Sequence, residues 1–333
     1  MKTKLDKKQL RGAADLMAAS KSIVVLGHVY PDGDAIGSVL GTAIAVREAG
    51  WEVQASWPEP FEIPHKYSFL PGKDLLVPPE ELTVVGVVVT LDCASAARLE
   101  ELEKRVPGSL ELINIDHHPD NTRFGSFNLI EPGACATSEI VYRYSADLGF
   151  RINQEAALCL YTGIVTDTGR FQFSNTTATT LRVASEMVAM GIEPNTVYEN
   201  VYQSDSLAYI RLSGEVITRA VYDHELGLIY GCVTQSDLKA FGVKMNETED
   251  LIDDLRALKG HVVAALFKER EDGKTRVSLR SRVDFDIGAI ARKLGGGGHR
   301  VAAGYTSTKG TIEETIEELR GEIIASDGST GHR

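Results

Sequence analysis

Asp116, His117 and His118 stand together at the end of an apolar run, and three other places in the chain carry residues of the same chemical kind: His28 with Asp32 and Asp34, the lone Asp92, and Asp167. Carboxylates and imidazoles in that number form a donor set of the size that holds two divalent cations. A pair of cations is a standard device for hydrolysing a phosphate ester. The set contains no thiolate, and oxygen and imidazole donors favour Mn²⁺ or Mg²⁺ over structural zinc.

The elements that would position these residues follow from the pattern around them. Ile23 to Leu26, Val53 to Ser56, Val84 to Leu91 and Leu112 to Ile115 read as strands, with helix-like stretches such as Ala35 to Ala49 between several of them. Strands alternating with helices predict a mostly parallel, Rossmann-like sheet covered on both faces, hence an α/β fold. In such sheets ligands bind beyond the carboxyl ends of the strands. His28 follows the first strand, Asp92 the third and Asp116 to His118 the fourth, so three strands deliver ligand-type residues to one edge. Pro31 and Gly33 force a tight loop that lets Asp32 and Asp34 face two neighbouring cations. Gly37 and Ser38 then open a helix whose positive end lies near the cluster.

Each residue taken singly has a plainer reading. Asp92 would cap a helix, Asp167 would serve a turn, and the basic strand from Lys274 to Arg282 would be a solvated edge. The joint placement of all of them argues for a metal centre.

Helical patterns follow at Ser138 to Leu148, Gln154 to Val165, Thr177 to Ala189 and Ser206 to Val221. Strand-like runs return at Leu228 to Val233, Val262 to Lys268, Thr275 to Ser281 and Val301 to Thr306, marking a second, smaller α/β domain. The domains expected are 1–190, a helical connector 191–225, 226–325, and a loose tail 326–333. A chain of 333 residues fits two domains of about 100–200 residues each. With 43% hydrophobic and 25% charged residues it has an ordinary globular composition. The N-terminus lacks a signal-peptide core and no apolar run spans a bilayer, so a cytoplasmic protein without a membrane partner is expected. Four scattered cysteines suggest neither a disulfide framework nor a zinc site.

A formal charge of −12 argues against coating long nucleic acid, whose non-specific affinity needs many Lys and Arg contacts. The charge is uneven, however, with ten basic residues against five acidic ones between Lys259 and Arg300. Within that stretch Arg280 and Ser281 precede Gly295 to Gly298 and His299. Glycine backbone can approach an anion closely, Arg280 offers a planar fork for a phosphate, and His299 adds a donor.

The motifs together resemble the DHH phosphoesterases, a family named for the sequence that stands here as Asp116-His117-His118. The likeness covers His28-x-x-x-Asp32-Gly33-Asp34, Asp92, Gly163 to Phe171, and a DHH-associated (DHHA1) region with Arg280-Ser281 and Gly295 to Gly304. In length it is similar to the members that degrade very short RNA (nanoRNA) and dephosphorylate 3′-phosphoadenosine 5′-phosphate (pAp).

The resemblance implies a manganese-dependent enzyme holding two Mn²⁺, with Mg²⁺ or Co²⁺ as substitutes. His28, Asp32 and Asp92 would hold one ion, and Asp34, Asp92, His117 and Asp167 the other. Asp116 would orient a histidine, and His118 would face the phosphate. Arg280, Ser281, Gly296, Gly297, Gly298 and His299 would bind substrate across an interdomain cleft. Cleavage of cyclic or linear dinucleotides (c-di-AMP, pApA) and a catalytically inactive nucleotide-binding regulator are the alternatives, and a homodimer is left open.

Overall fold

A computed structural model describes residues 5–106, 110–282 and 285–330, in two compact units that divide between Ser204 and Asp205. The first unit runs α1 (Lys7–Ala19), β1 (Ser22–Leu26), α2 (Gly33–Glu48), β2 (Glu52–Ser56), β3 (Val87–Leu91), α3 (Glu101–Arg105), β4 (Leu112–Asp116), β5 (Phe127–Ile130), α4 (Thr137–Tyr144), α5 (Gln154–Asp167), α6 (Ala178–Ala189) and α7 (Pro194–Tyr202). Its five strands are all parallel, in the order β2-β1-β3-β4-β5.

Alternate residues of the strands enter two separate cores. Ile23, Val25, Val87 and Val89 pack with Ile36 and Leu40 of α2 and Leu160 of α5, whereas Val24, Leu26 and Val88 pack with Leu82, Leu99 and Leu102. A sheet covered on both faces explains why β3 reads as a continuous apolar run. It starts at Val87 rather than at Val84 because Gly86, at φ +75°, turns the chain where a Cβ would strike the Ser22 carbonyl.

Helix α2 is buried from Gly33 to Val46, which removes any polar stripe from its sequence. It lies antiparallel against α5, with Gly33 facing Thr166, Gly37 facing Cys159 and Gly163, and Gly41 facing Ala156 and Leu160. A Cβ on Gly37 would sit 3.0 Å from the Gly163 nitrogen, so the glycines set how closely the two helices approach.

The second unit runs α8 (Leu207–Thr218), β6 (Val221–Asp223), β7 (Leu228–Val233), α9 (Gln235–Phe241), α10 (Leu251–Leu255), β8 (Val263–Glu269), β9 (Thr275–Ser281), α11 (Ile287–Lys293), β10 (Gly297–His299), β11 (Ala302–Ser307) and α12 (Ile312–Thr330). Helix α12 takes in residues 326–330, the start of the segment read as a tail. The sheet order is β10-β11-β9-β8-β7-β6, with β7 and β8 parallel and the other pairs antiparallel. One face packs against α11 and α12 through Phe267, Leu279, Ile290 and Leu319. The other packs against α8, α9 and α10 through Leu266, Leu212, Leu238 and Ile252. Among the described residues no helix is long and apolar enough to cross a membrane.

Candidate metal centre

The first unit brings together the six residues the sequence marks as ligands. His28 follows β1, Asp92 follows β3 and His117 follows β4, while Asp32 and Asp34 open α2 and Asp167 closes α5. Three groupings have their donor atoms within 4.8 Å of one another: His28 with Asp32 and Asp92, Asp34 with His117 and Asp167, and Asp92 with His117 and His118. Asp92 joins them. Its Oδ2 lies 3.6 Å from His28 Nε2 and its Oδ1 lies 3.5 Å from His117 Nε2. His117 Nε2 is also 3.6 Å from Asp167 Oδ2 and 4.0 Å from Asp34 Oδ2.

Local hydrogen bonds fix each side chain. Asp32 Oδ1 accepts from the amides of Asp34 and Ala35, both at 3.1 Å, so one oxygen caps α2 and the other is left for a ligand. Asp34 is held by the amino end of α4, accepting from the Thr137 amide at 2.6 Å and the Ser138 amide at 3.0 Å. Asp92 accepts from the Thr137 hydroxyl at 3.0 Å and has a left-handed backbone, φ 58°, of the kind that accumulates at functional sites. His28 Nδ1 lies 2.8 Å from the Val29 carbonyl and 2.7 Å from Arg98 Nη2, which fixes the ring with Nε2 facing Asp92.

Asp116 is fully buried and serves His118 rather than the cluster. Its Oδ1 accepts from His118 Nδ1 at 2.8 Å and from the His117 amide at 2.9 Å, and its Oδ2 accepts from Asn121 Nδ2 at 2.6 Å. His118 Nδ1 also lies 3.6 Å from Asp92 Oδ1, but while its N–H donates to Asp116 that nitrogen offers no lone pair to a metal.

The electrostatics match the donor geometry. Burial, and then the charges of Asp92 and Asp167, push the Asp34 carboxyl well above the ordinary range. Burial works the same way on Asp92, yet the hydrogen bond with His28 and the neighbouring imidazoles hold it below that range. Burial pulls the His118 imidazole down, but Asp116 and then Asp92 and Asp167 raise it to about 10. Three carboxylates converging on one imidazole in a buried pocket form a negative site whose repulsion a divalent cation would relieve. The donor set therefore fits such ions.

The second group of sequence-marked residues lies in the other unit. Arg280 sits on β9, paired with Ala264 of β8 and Ala302 of β11. Its Nη1 donates to the Leu279 carbonyl at 3.1 Å, and its Nε lies 4.0 Å from Asp253. Ser281 is buried, and its hydroxyl donates to the Phe285 carbonyl at 2.6 Å. Gly297, Gly298 and His299 form β10 against β11, and the His299 side chain lies outside the described part of the structure. Gly296 faces the Gly304 carbonyl and Tyr305, and Gly298 has φ +127°, so glycine is required for this close hairpin.

Four contributors carried no signal of their own in the sequence. Asn121 anchors Asp116, Thr137 and Ser138 cradle Asp34 and Asp92, and Asn175 ties the Asp167 and Cys135 carbonyls together at 3.0 Å each. Only Asn121, three residues beyond His118, stood close enough to a motif to have been found.

A parallel sheet with this centre at its carboxyl edge is the architecture of a known family. The chain belongs to the DHH family: residues 22–164 match the DHH family, N-terminal domain, and residues 228–325 match the DHHA1 domain. It is 36% identical to the bifunctional oligoribonuclease and PAP phosphatase NrnA of Thermus thermophilus, over 92% of each chain. It is 32% identical to the protein of the same name from Bacillus subtilis, over 85% of this chain and 88% of that one. Among solved structures it is similar to an exopolyphosphatase-related protein from Bacteroides fragilis, with a TM-score of 0.88, 25% identity and 98% of both chains covered.

Proposed function

We propose that this protein hydrolyses very short RNA to mononucleotides and removes a phosphate from pAp, using two divalent cations. The observation that carries the reading is the pair of ligand groupings that meet at Asp92. The two NrnA relatives support the substrate class, because both bear that double activity in their names. We assign His28, Asp32 and Asp92 to one ion and Asp34, Asp92, His117 and Asp167 to the other, with Mn²⁺ first and Mg²⁺ or Co²⁺ as substitutes. Bound there, the ions would supply Lewis-acid activation of water and of the phosphoryl oxygens.

The remaining roles belong to the protein. Asp116 holds the His118 ring through Nδ1, and His118 donates from its other nitrogen to a phosphoryl or leaving oxygen. Arg280, with the glycine backbone from Gly296 to Gly298 and His299, is assigned to a phosphate or terminal nucleotide of the substrate. Ser281, bonded to the Phe285 carbonyl, fixes the end of the strand that carries Arg280.

The test is a hydrolysis panel with Mn²⁺ containing a five-nucleotide RNA, a twenty-four-nucleotide RNA, pApA, c-di-AMP and pAp, with His117→Ala and chelator as controls. Loss of the short RNA and phosphate release from pAp, both abolished by chelator, are expected. Cleavage of the cyclic compound alone would transfer the assignment to cyclic-dinucleotide turnover. No metal-dependent hydrolysis at all would leave a nucleotide-binding regulator.

A further inference from the structure

Helices α4 and α5 serve the metal centre at one end each. The amino end of α4 donates to Asp34 and the carboxyl end of α5 supplies Asp167. At about 1.5 Å per residue, the 14 residues of α5 put its other end about 20 Å from Asp167. There a cavity of about 540 Å³ opens between the segment joining α4 to α5 and the face of α6. Sites for small organic ligands have volumes of about 300–1,000 Å³.

The cavity wall runs against the composition of the chain. Acidic residues outnumber basic ones by 47 to 35, yet the wall sets Arg143, Arg151 and Arg182 against the single carboxylate of Glu186. The three guanidinium groups are differently engaged. Arg143 is fixed within the wall: its Nη1 donates to Glu131 at 2.9 Å and to Glu139 at 3.1 Å, and its Nη2 to the Tyr144 hydroxyl at 3.1 Å. Arg182 lies 3.9 Å from Glu186 in a loose, exposed pair. Arg151 is exposed and forms no hydrogen bond or ion pair with the described residues. Beneath these groups the lining is apolar, with Phe150, Ile152, Val183 and Met190 in or against the core of the first unit.

We propose that this cavity is a second binding site, which takes a small organic anion with a flat body, a nucleoside monophosphate. Arg151 and Arg182 offer planar forks suited to a phosphate monoester. The partly exposed ring of Tyr142 and the plane of Arg182 offer faces on which a base stacks, over an apolar floor. The bonds of Arg143 keep one wall in place before any ligand arrives, which lowers the cost of binding. The site lies apart from the proposed hydrolysis, and its test needs no turnover.

The experiment is calorimetry on the full chain in the presence of chelator, so that no cation at the metal centre can hold a phosphate. AMP, adenosine and ribose 5-phosphate are titrated into wild type, Arg151→Glu, Ala146→Trp and Arg280→Ala. Ala146 is exposed and lines the cavity, so a tryptophan there fills the space and leaves the charges unchanged. Wild type is expected to bind AMP at least about tenfold more tightly than either fragment. R280A retains that binding, whereas R151E and A146W each weaken it at least about tenfold while melting like wild type. Unchanged AMP affinity in either cavity variant, or binding lost in R280A, would overturn the site. Adenosine binding as tightly as AMP would remove the anion from the proposal, ribose 5-phosphate binding as tightly would remove the base, and either result overturns it. So would wild type that binds no AMP at millimolar concentration.

Discussion

Asp116 shows how one carboxylate can matter to a metal centre without touching it. Its oxygens accept from His118 Nδ1, the His117 amide and Asn121, which uses the side chain for orientation. It is also the largest influence holding the His118 proton against burial, with the imidazole raised to about 10. A proton donor works while it is protonated, so its contribution is complete below its pKa and is lost as pH rises through it. Asp116→Asn keeps the shape and removes the charge. The variant should bind Mn²⁺ within a few-fold of wild type by calorimetry and lose about 10²–10⁴ in kcat. The basic limb of its pH–rate profile should move to lower pH, because the largest raising influence on His118 is gone. Cations held at Asp92 would lower the same imidazole in both proteins, so the comparison rests on the difference between the profiles. An unchanged basic limb with normal kcat would remove His118 from proton transfer.

At the scale of elements, the centre depends on how closely three helices meet. The amino end of α4 donates to Asp34, and α2 lies on α5 through Gly37 and Gly41. A Cβ at Gly163 would strike the Ser138 hydroxyl and come within 2.8 Å of Asp34 Oδ1, so Gly163→Ala should cost about 1–3 kcal/mol and weaken Mn²⁺ binding. Gly214→Ala on α8 is the control, since nothing lies within 4 Å of its Cβ position and the change should stabilise by about 0.5–1 kcal/mol. Thermal melts with and without Mn²⁺ measure both, and a G163A protein that melts and binds like wild type would refute the packing account.

The same elements show what a sequence can disclose. Strand ends with Asp92 and Asp116-His117-His118 were readable, because a parallel sheet carries its ligands at a predictable edge. The short β5 was missed because four residues give little periodicity. The support from Thr137 and Ser138 was missed because two of its three bonds come from backbone amides, which leave no trace in residue type. The glycine run was read for its access to an anion, and its second duty as the hairpin strand β10 becomes visible only when β11 lies beside it.

The whole molecule sets the length of substrate that the centre can use. With 47 acidic against 35 basic residues, the chain repels a long polyanion at most points of its surface. On the proposed reading, attraction is confined to a few groups, Arg280 and the ions that the centre would hold. Each phosphate neutralised on a single strand contributes about 0.7 to the slope of log affinity against log salt, so two contacts give a slope of about −1.4. KM for a five-nucleotide RNA should therefore rise only about 2.6-fold when monovalent salt is raised twofold at fixed Mn²⁺. A twenty-four-nucleotide RNA should bind no more tightly than the five-nucleotide one, because its additional phosphates meet an acidic surface. A protein with an extended basic track would behave differently, with a slope several times steeper and affinity growing with length. Steady-state KM values across a salt series, with anisotropy measurements of a catalytically silenced His118→Ala protein on both RNAs, distinguish the two cases. A steep slope together with tighter binding of the longer RNA would mean that a local basic surface outweighs the net charge, and selectivity for short chains would then have to come from the shape of the site.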